Sequence, residues 1–367
     1  MLTEGDLPRL KGMPAAWRSR VDVLAGRALR EGPWSVTFHR PRDVEVPRNA
    51  YYSDAPYWWP DPKNPKGPYI RKDGEHYPYR FTVNHRDLGL MSEAVLALAL
   101  ANAQTPDARW GRRAAEILRV WFLDPATRMT PHLEHAQAVR QRDTGRNAGI
   151  IDGRSLLWCA QGLLLLEGAP GFDPQTGAQV RAWFAEYLRW LTTSEKGVKE
   201  SQAGNNHAAW WTVQAAGHAI LTGDAKTEAA CWRHYREVLV PGQFRPDGPA
   251  PKEEARTRSL HYSAMNLDAF TVLARLAQLR GVDLWRFQAP SGASVLRSIE
   301  YLLPYWEKPA AWKKPQITAF RREENYFLGL AGLGIQRPAW VKRQLETLRA
   351  DSAWLLIVEA ALRISTA

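Results

Sequence analysis

The stretch Asp87-Leu-Gly-Leu-Met-Ser-Glu-Ala-Val-Leu-Ala-Leu-Ala-Leu-Ala-Asn-Ala-Gln104 reads as a helix buried on most of its surface. Leu88, Met91, Val95 and Leu98 recur at helical spacing, and the intervening alanines leave almost no polar face. Pro106 follows at once, and Pro106 to Leu123 repeats the pattern with Ala114, Ile117, Leu118 and Trp121. Two helices joined this tightly pack antiparallel. The same signal recurs at 14–30, 150–167, 174–193, 206–222, 225–239, 253–280, 291–306, 322–334, 338–349 and 352–365. Alternating period-2 runs stay short throughout. About a dozen successive helical hairpins without an exact repeat imply an all-α fold of stacked helix pairs, as an open superhelix or a closed toroid. No Pro/Gly/Ser-rich linker divides the chain, so residues 1–367 are expected to form one domain.

The chain is ordinary in its 45% hydrophobic and 24% charged content, but 49 Lys+Arg against 38 Asp+Glu leave a net charge of +11. A basic surface gathers polyanions, whether nucleic acid, anionic lipid or acidic polysaccharide. No Lys/Arg run exceeds two residues, which favours a charged groove over a basic tail. Cys159 and Cys231 lie in apolar helical stretches and are expected to be buried thiols, with one disulfide as the alternative. The first thirty residues hold no signal-like apolar run. A periplasmic or secreted location with a leader already removed is expected, the cytoplasm being the alternative. No segment is expected to approach the ~20 apolar residues needed to cross a bilayer.

From Gly32 to about residue 80 the helical signal stops. Tyr51-Tyr-Ser-Asp-Ala-Pro-Tyr-Trp-Trp-Pro-Asp-Pro-Lys-Asn-Pro-Lys-Gly-Pro-Tyr69 carries five prolines, incompatible with a helix or a central strand. So long an aromatic loop reads as a packed arm or a lid, with Tyr57 and Trp58 placed to stack on sugar rings or bases.

Two polar constellations stand out. Ser201-Gln-Ala-Gly-Asn-Asn-His-Ala-Ala-Trp-Trp211 opens a helix: Asn205 and Asn206 are natural caps, and His207 lies at the positive helix end, where an anion is favoured. Downstream, Glu253-Glu-Ala-Arg-Thr-Arg-Ser-Leu-His-Tyr-Ser-Ala-Met-Asn-Leu267 follows the turn Pro246-Asp-Gly-Pro249. If the helix already runs at Glu253, Arg258, Tyr262 and Asn266 share one face, with Arg256 turned roughly 120° from Tyr262. Glu253/Glu254 and Glu323/Glu324 read as solvated helix faces rather than the paired acids of a glycosidase.

Together these are the parts needed for β-elimination from a polyuronate. The C5 proton of a uronate is α to a carboxylate and leaves only when that carboxylate is neutralised. Asn206, His207 and an Arg can neutralise it without a metal. A phenol of reference pKa near ~10 becomes a usable base when a guanidinium stabilises its anion, and afterwards returns the proton to the leaving O4. One Tyr can do both where C5–H and C4–O lie on one side of the ring, as in mannuronate and glucuronate.

At these residues the chain resembles the alginate lyase superfamily of helical-toroid polysaccharide lyases. Asn205-Asn206-His207 followed by Trp is similar to that family's carboxylate-neutralising element, and Tyr262 to its catalytic Tyr. Pro56-Tyr-Trp-Trp-Pro-Asp-Pro62, Pro68-Tyr-Ile-Arg-Lys-Asp-Gly74, Arg128–Gln137 and Gly145–Arg154 resemble the glucuronan-lyase-like branch. The chain departs from the family in having Ala255 seven residues before the Tyr, leaving Arg256 and Arg258 as the candidate cations. It also has His261 before Tyr262, Ser263 after it, and Ala209 in place of a Tyr. The resemblance implies an incomplete (α/α) toroid with residues 32–80 as lid, and Tyr262, His207, Asn206, Arg256 and Arg258 as catalytic. Tyr57, Trp58, Asn205, Gln137, Arg146, His261 and Trp211 are expected to bind substrate.

No cofactor or metal pattern is present, and the expected partner is an acidic polysaccharide rather than nucleic acid or a membrane. The competing reading is a non-catalytic helical scaffold whose basic groove binds heparin-like chains or single-stranded nucleic acid.

Overall fold

The computed structural model describes residues 1–364. Twelve of its helices alternate between an outer and an inner layer. They are α1 (Ala15–Arg30), α2 (Val83–Gln104), α3 (Ala108–Leu118), α4 (Leu156–Leu166), α5 (Pro174–Thr193), α6 (Asn206–Thr222), α7 (Ala225–His234), α8 (Ser259–Leu279), α9 (Val295–Glu307), α10 (Phe327–Gly334), α11 (Pro338–Thr347) and α12 (Ala353–Ile364). Even-numbered helices pack on one another in order, α2 on α4, α4 on α6, α6 on α8, α8 on α10 and α10 on α12. Helix α12 then meets α2, so of the two arrangements the periodicity left open the chain adopts the α/α toroid that the resemblance implied, built around an inner ring.

Sequence separates the layers. Inner α4 buries Leu156, Leu157, Cys159, Ala160, Gln161, Gly162, Leu163, Leu165 and Leu166, because it touches helices on every side. Outer α3 buries Trp110, Ala114, Ala115, Ile117 and Leu118 and leaves Arg112 and Glu116 in solvent. Gly162 lets α4 approach α2, since a Cβ there would stand 3.1 Å from Leu96 Cα. Cys159 and Cys231 are free, buried thiols. One stretch, Asn147–Leu166, does reach the length and apolarity of a membrane span, contrary to expectation. Its 78% burial marks it as the ring's core instead.

Each inner helix begins at the same mouth of the toroid, which brings six positive helix ends together. The proline-rich arm lies across this mouth. Its strand β1 (Tyr52–Asp54) pairs in parallel with β4 (His135–Ala138), and β2 (Trp58–Trp59) pairs antiparallel with β3 (Ile70–Arg71). Arg140 holds the arm by donating Nε and Nη2 to Asp54 at 3.1 and 3.0 Å.

Candidate active site

A cleft of about 710 Å³ opens among the inner helix N-termini and the arm. Asn205 is the cap of α6: its Oδ1 accepts from the His207 backbone N–H at 3.2 Å. The His207 ring turns into the cleft while Nδ1 stands 2.6 Å from Glu200 Oε1. Glu200 is buried at the end of a short helix, Glu195–Ser201, that lies outside the helices expected from the sequence.

Asn206 is fully buried, and this modifies the expectation of an open carboxylate ligand. Its backbone N–H donates to Glu253 Oε1 at 2.6 Å, and its Nδ2 lies 3.0 and 2.9 Å from the two Glu253 oxygens. Those oxygens subtend a narrow angle at Nδ2, so they take one amide hydrogen and leave the other. The reading of Glu253 and Glu254 as a solvated face is therefore overturned. Glu253 is 1% and Glu254 8% exposed, the first committed to Asn206 and the second paired with Lys314. The turn at Pro246–Pro249 folds this segment inward, which spacing alone does not reveal. Burial pushes the Glu253 carboxyl above its usual range.

The segment around Tyr262 also differs from the continuous helix expected. A short helix, Pro251–Glu254, ends before α8 begins at Ser259, and Arg258 at the junction has φ −119° and ψ 54°. Arg258 is thus outside the helix, with Nε on Thr318 Oγ1 at 3.0 Å, and does not share a helical face with Tyr262 and Asn266. Asn266 is buried and donates to Gln243. The break instead brings Arg256 onto Tyr262, with its Cζ 3.9 Å from the ring centre. Arg256 is held from the arm by Asp73, with Nη2 to Oδ1 at 2.8 Å and Nε to Oδ2 at 3.1 Å.

The Tyr262 hydroxyl is hydrogen-bonded to that of Tyr57. Its phenol is held above the ordinary value, by burial first and then by Tyr57, and the opposing Arg256 charge only partly offsets them. The expected lowering by a guanidinium is present as a contribution and outweighed in the unliganded cleft. His261, edge-on to Tyr262, is pushed down to about 4 by burial and by Arg258, Arg154 and Arg256, so its ring is neutral.

Trp58 lies under two guanidiniums, Arg142 at 5.0 Å and Arg146 at 5.7 Å. Gln137 adopts φ +48° and is held there by Ser53, Asp152 and Arg146, so both ends of its amide are occupied. Gly149 allows this corner to close, because a Cβ would collide with the Ala136 backbone. Trp211 is not in the cleft. It sits on the outward side of α6, donating to the Leu191 carbonyl and packing on His234, while Trp210 faces inward near Arg154. Tyr57, Trp58, Asn205, Gln137, Arg146, Asn206, His207, Arg256, Arg258, His261 and Tyr262 thus all border one cavity. Among the described residues, no group of three His, Cys, Asp or Glu side chains gathers at metal-ligand spacing.

A model of the alginate lyase family matches residues 38–312. The crystal structure of an alginate lyase from Bacteroides ovatus superposes with a TM-score of 0.89 at 30% identity, covering 96% of this chain and 97% of that one. An alginate lyase from Sphingomonas species A1 shares the fold, with a TM-score of 0.59 at 19% identity over 93% of each chain. An alginate lyase variant complexed with a tetrasaccharide gives 0.56 at 18% over 92% of this chain and 93% of that one. No curated protein sequence matches the chain.

Toroid, cleft and these likenesses define a polysaccharide lyase. Within that class, the chain belongs to the alginate lyase family.

Proposed function

We propose that the protein cleaves a 1,4-linked polyuronate, mannuronate-type alginate or β-1,4-glucuronan, by β-elimination, with side chains rather than a metal neutralising the substrate carboxylate. The observation that carries this reading is the shared cavity of Tyr262 and His207, with Arg256 against the Tyr262 ring. A uronate carboxylate is drawn to the converging helix ends and to His207, Arg258 and the free amide hydrogen of Asn206. Tyr262 takes the C5 proton, the electron pair forms the C4=C5 bond, and the C4–O4 bond breaks as Tyr262 protonates O4. No water is consumed. Tyr57, Trp58, Arg146 and His261 line the path of neighbouring sugars, and the arm acts as lid.

The raised phenol suits the acid half of this cycle. The base half works from the small ionised fraction that Arg256 supports, so the rate climbs with pH. The test is incubation with mannuronan, guluronan and glucuronan while following the ultraviolet absorbance of the unsaturated product. Activity is expected on mannuronan or glucuronan, unchanged by a chelator, and Tyr262→Phe is expected to bind polymer but lose at least ~10³-fold in kcat. Silence on all three polymers, or a fully active Tyr262→Phe, overturns the reading.

A further inference from the structure

His207 reaches the cleft with one nitrogen already spoken for. Its Nδ1 lies 2.6 Å from Glu200 Oε1, and the other oxygen, Oε2, accepts from Asn147 Nδ2 at 2.7 Å. Glu200 is 1% exposed, so water does not compete for either oxygen. Its backbone is set by the Glu195–Ser201 helix, capped by Ser194 Oγ, which accepts from the Gly197 N–H at 3.0 Å. Asn147 begins the 3₁₀ segment Asn147–Ser155 that leads into α4. Three elements of the toroid therefore converge on one imidazole.

We infer that Glu200 is a positioning residue: its buried carboxylate holds the proton of the neutral His207 ring on Nδ1 and turns Nε2 into the cleft, where a second proton taken from solvent makes the imidazolium whose Nε2–H donates to the substrate carboxylate. An ionised carboxylate only accepts, so the nitrogen facing it carries the hydrogen. Nε2, which has no hydrogen-bond partner among the described residues, is left as the atom that meets a ligand. Asn147 fixes the carboxylate plane, and so the ring plane, in the way that outer partners orient a working histidine. The sequence offers no hint of this, because Glu200 lies in a polar segment that reads as surface.

The catalytic consequence rests on the lyase reading, whereas the tautomer does not, and the experiment separates them. Protein labelled with ¹⁵N-histidine is examined at a pH where the His207 ring is neutral, assigned by loss of the signal in His207→Ala. The wild type is expected to show a protonated Nδ1 and a bare Nε2. Glu200→Gln can turn its amide NH₂ toward the ring, and a mixed or reversed tautomer is expected. In the polymer assay this variant is expected to lose about 100-fold in kcat with KM changed less than about 3-fold, the scale of a lost carboxylate partner. Glu200→Asp recovers part of the loss.

Should Glu200→Gln fold poorly, Asn147→Ser frees the outer oxygen alone and is expected to cost about 10-fold in the same direction. A wild-type neutral ring protonated on Nε2 overturns the inference. So does unaltered tautomer and kcat in both Glu200→Gln and Asn147→Ser. If no polymer is cleaved while Nδ1 is protonated as expected, the functional reading fails and the positioning role stands.

Discussion

Exchanging Arg256 for Gln asks which cation serves Tyr262 and how strongly. The Arg256 Cζ lies 3.9 Å from the Tyr262 ring centre. Two unit charges ~4 Å apart at an effective dielectric of ~20 attract by ~4 kcal/mol. Asp73 touches the same guanidinium at 2.8 Å and cancels part of its field. If it cancels about half, ~2 kcal/mol remains, or about 30-fold in the ionised fraction of the phenol. The sign is definite. Losing the cation pushes an already raised phenol further up, so at any pH below its titration fewer Tyr262 side chains are ionised. In Arg256→Gln, kcat/KM should fall about 30-fold at neutral pH, and the limb that rises with pH should move up by about 1.5 units. Asp73→Asn removes the counter-charge and keeps Arg256, so its limb should move the other way. Arg258→Gln should leave the limb in place and lower kcat/KM evenly across pH, since Arg258 bonds Thr318 while Arg256 is the guanidinium on the Tyr262 ring. Initial rates of ultraviolet product formation across pH, for the wild type and these three variants, provide the comparison. An Arg258→Gln limb displaced as far as that of Arg256→Gln would refute the assignment.

Two further outcomes concern stability. Asp268 accepts from the Tyr326 and Phe327 N–H groups at 2.9 Å and from Asn325 at 3.0 Å, and burial holds its carboxyl up at about 7 against an ordinary 3.8. Between those values the folded protein keeps a proton that the unfolded chain releases, so this group's contribution to stability falls as pH rises from 3.8 to about 7 and is level above. Asp268→Asn should abolish that part, and the melting-temperature difference, wild type minus variant, should shrink over the window; a constant difference would contradict it. Gly149→Ala should cost ~1–3 kcal/mol by driving a methyl into the Ala136 backbone, and should raise KM by displacing Gln137 and Arg146. An unchanged melting temperature would show that the corner yields freely.

The helices were legible because a 3.6-residue period is local: Leu88, Met91, Val95 and Leu98 announce α2 whatever surrounds it. The same locality hid the bend at residues 255–258. No side chain there breaks a helix, and the bend is imposed by Arg256 and Thr257 bonding to Asp73, far away in the chain. Burial of charge was equally out of reach, since Glu253 differs from an exposed glutamate only in what folds over it. Trp210 and Trp211 were interchangeable as letters. Only the ring decides which one faces the cleft.

Composition, period and the Asn205-Asn206-His207 and Tyr262 elements therefore pointed to the all-α toroid and the family likeness, and to residues that border the cleft with Trp211 as the exception. The tertiary structure alone decided that Arg256 rather than Arg258 lies on Tyr262, that Asn206 and His207 are backed by Glu253 and Glu200, and that the phenol starts above its ordinary value. The physical reason is that helix formation is set by neighbours along the chain. Protonation and orientation are set by desolvation and by charges that only the closed ring brings within a few ångströms.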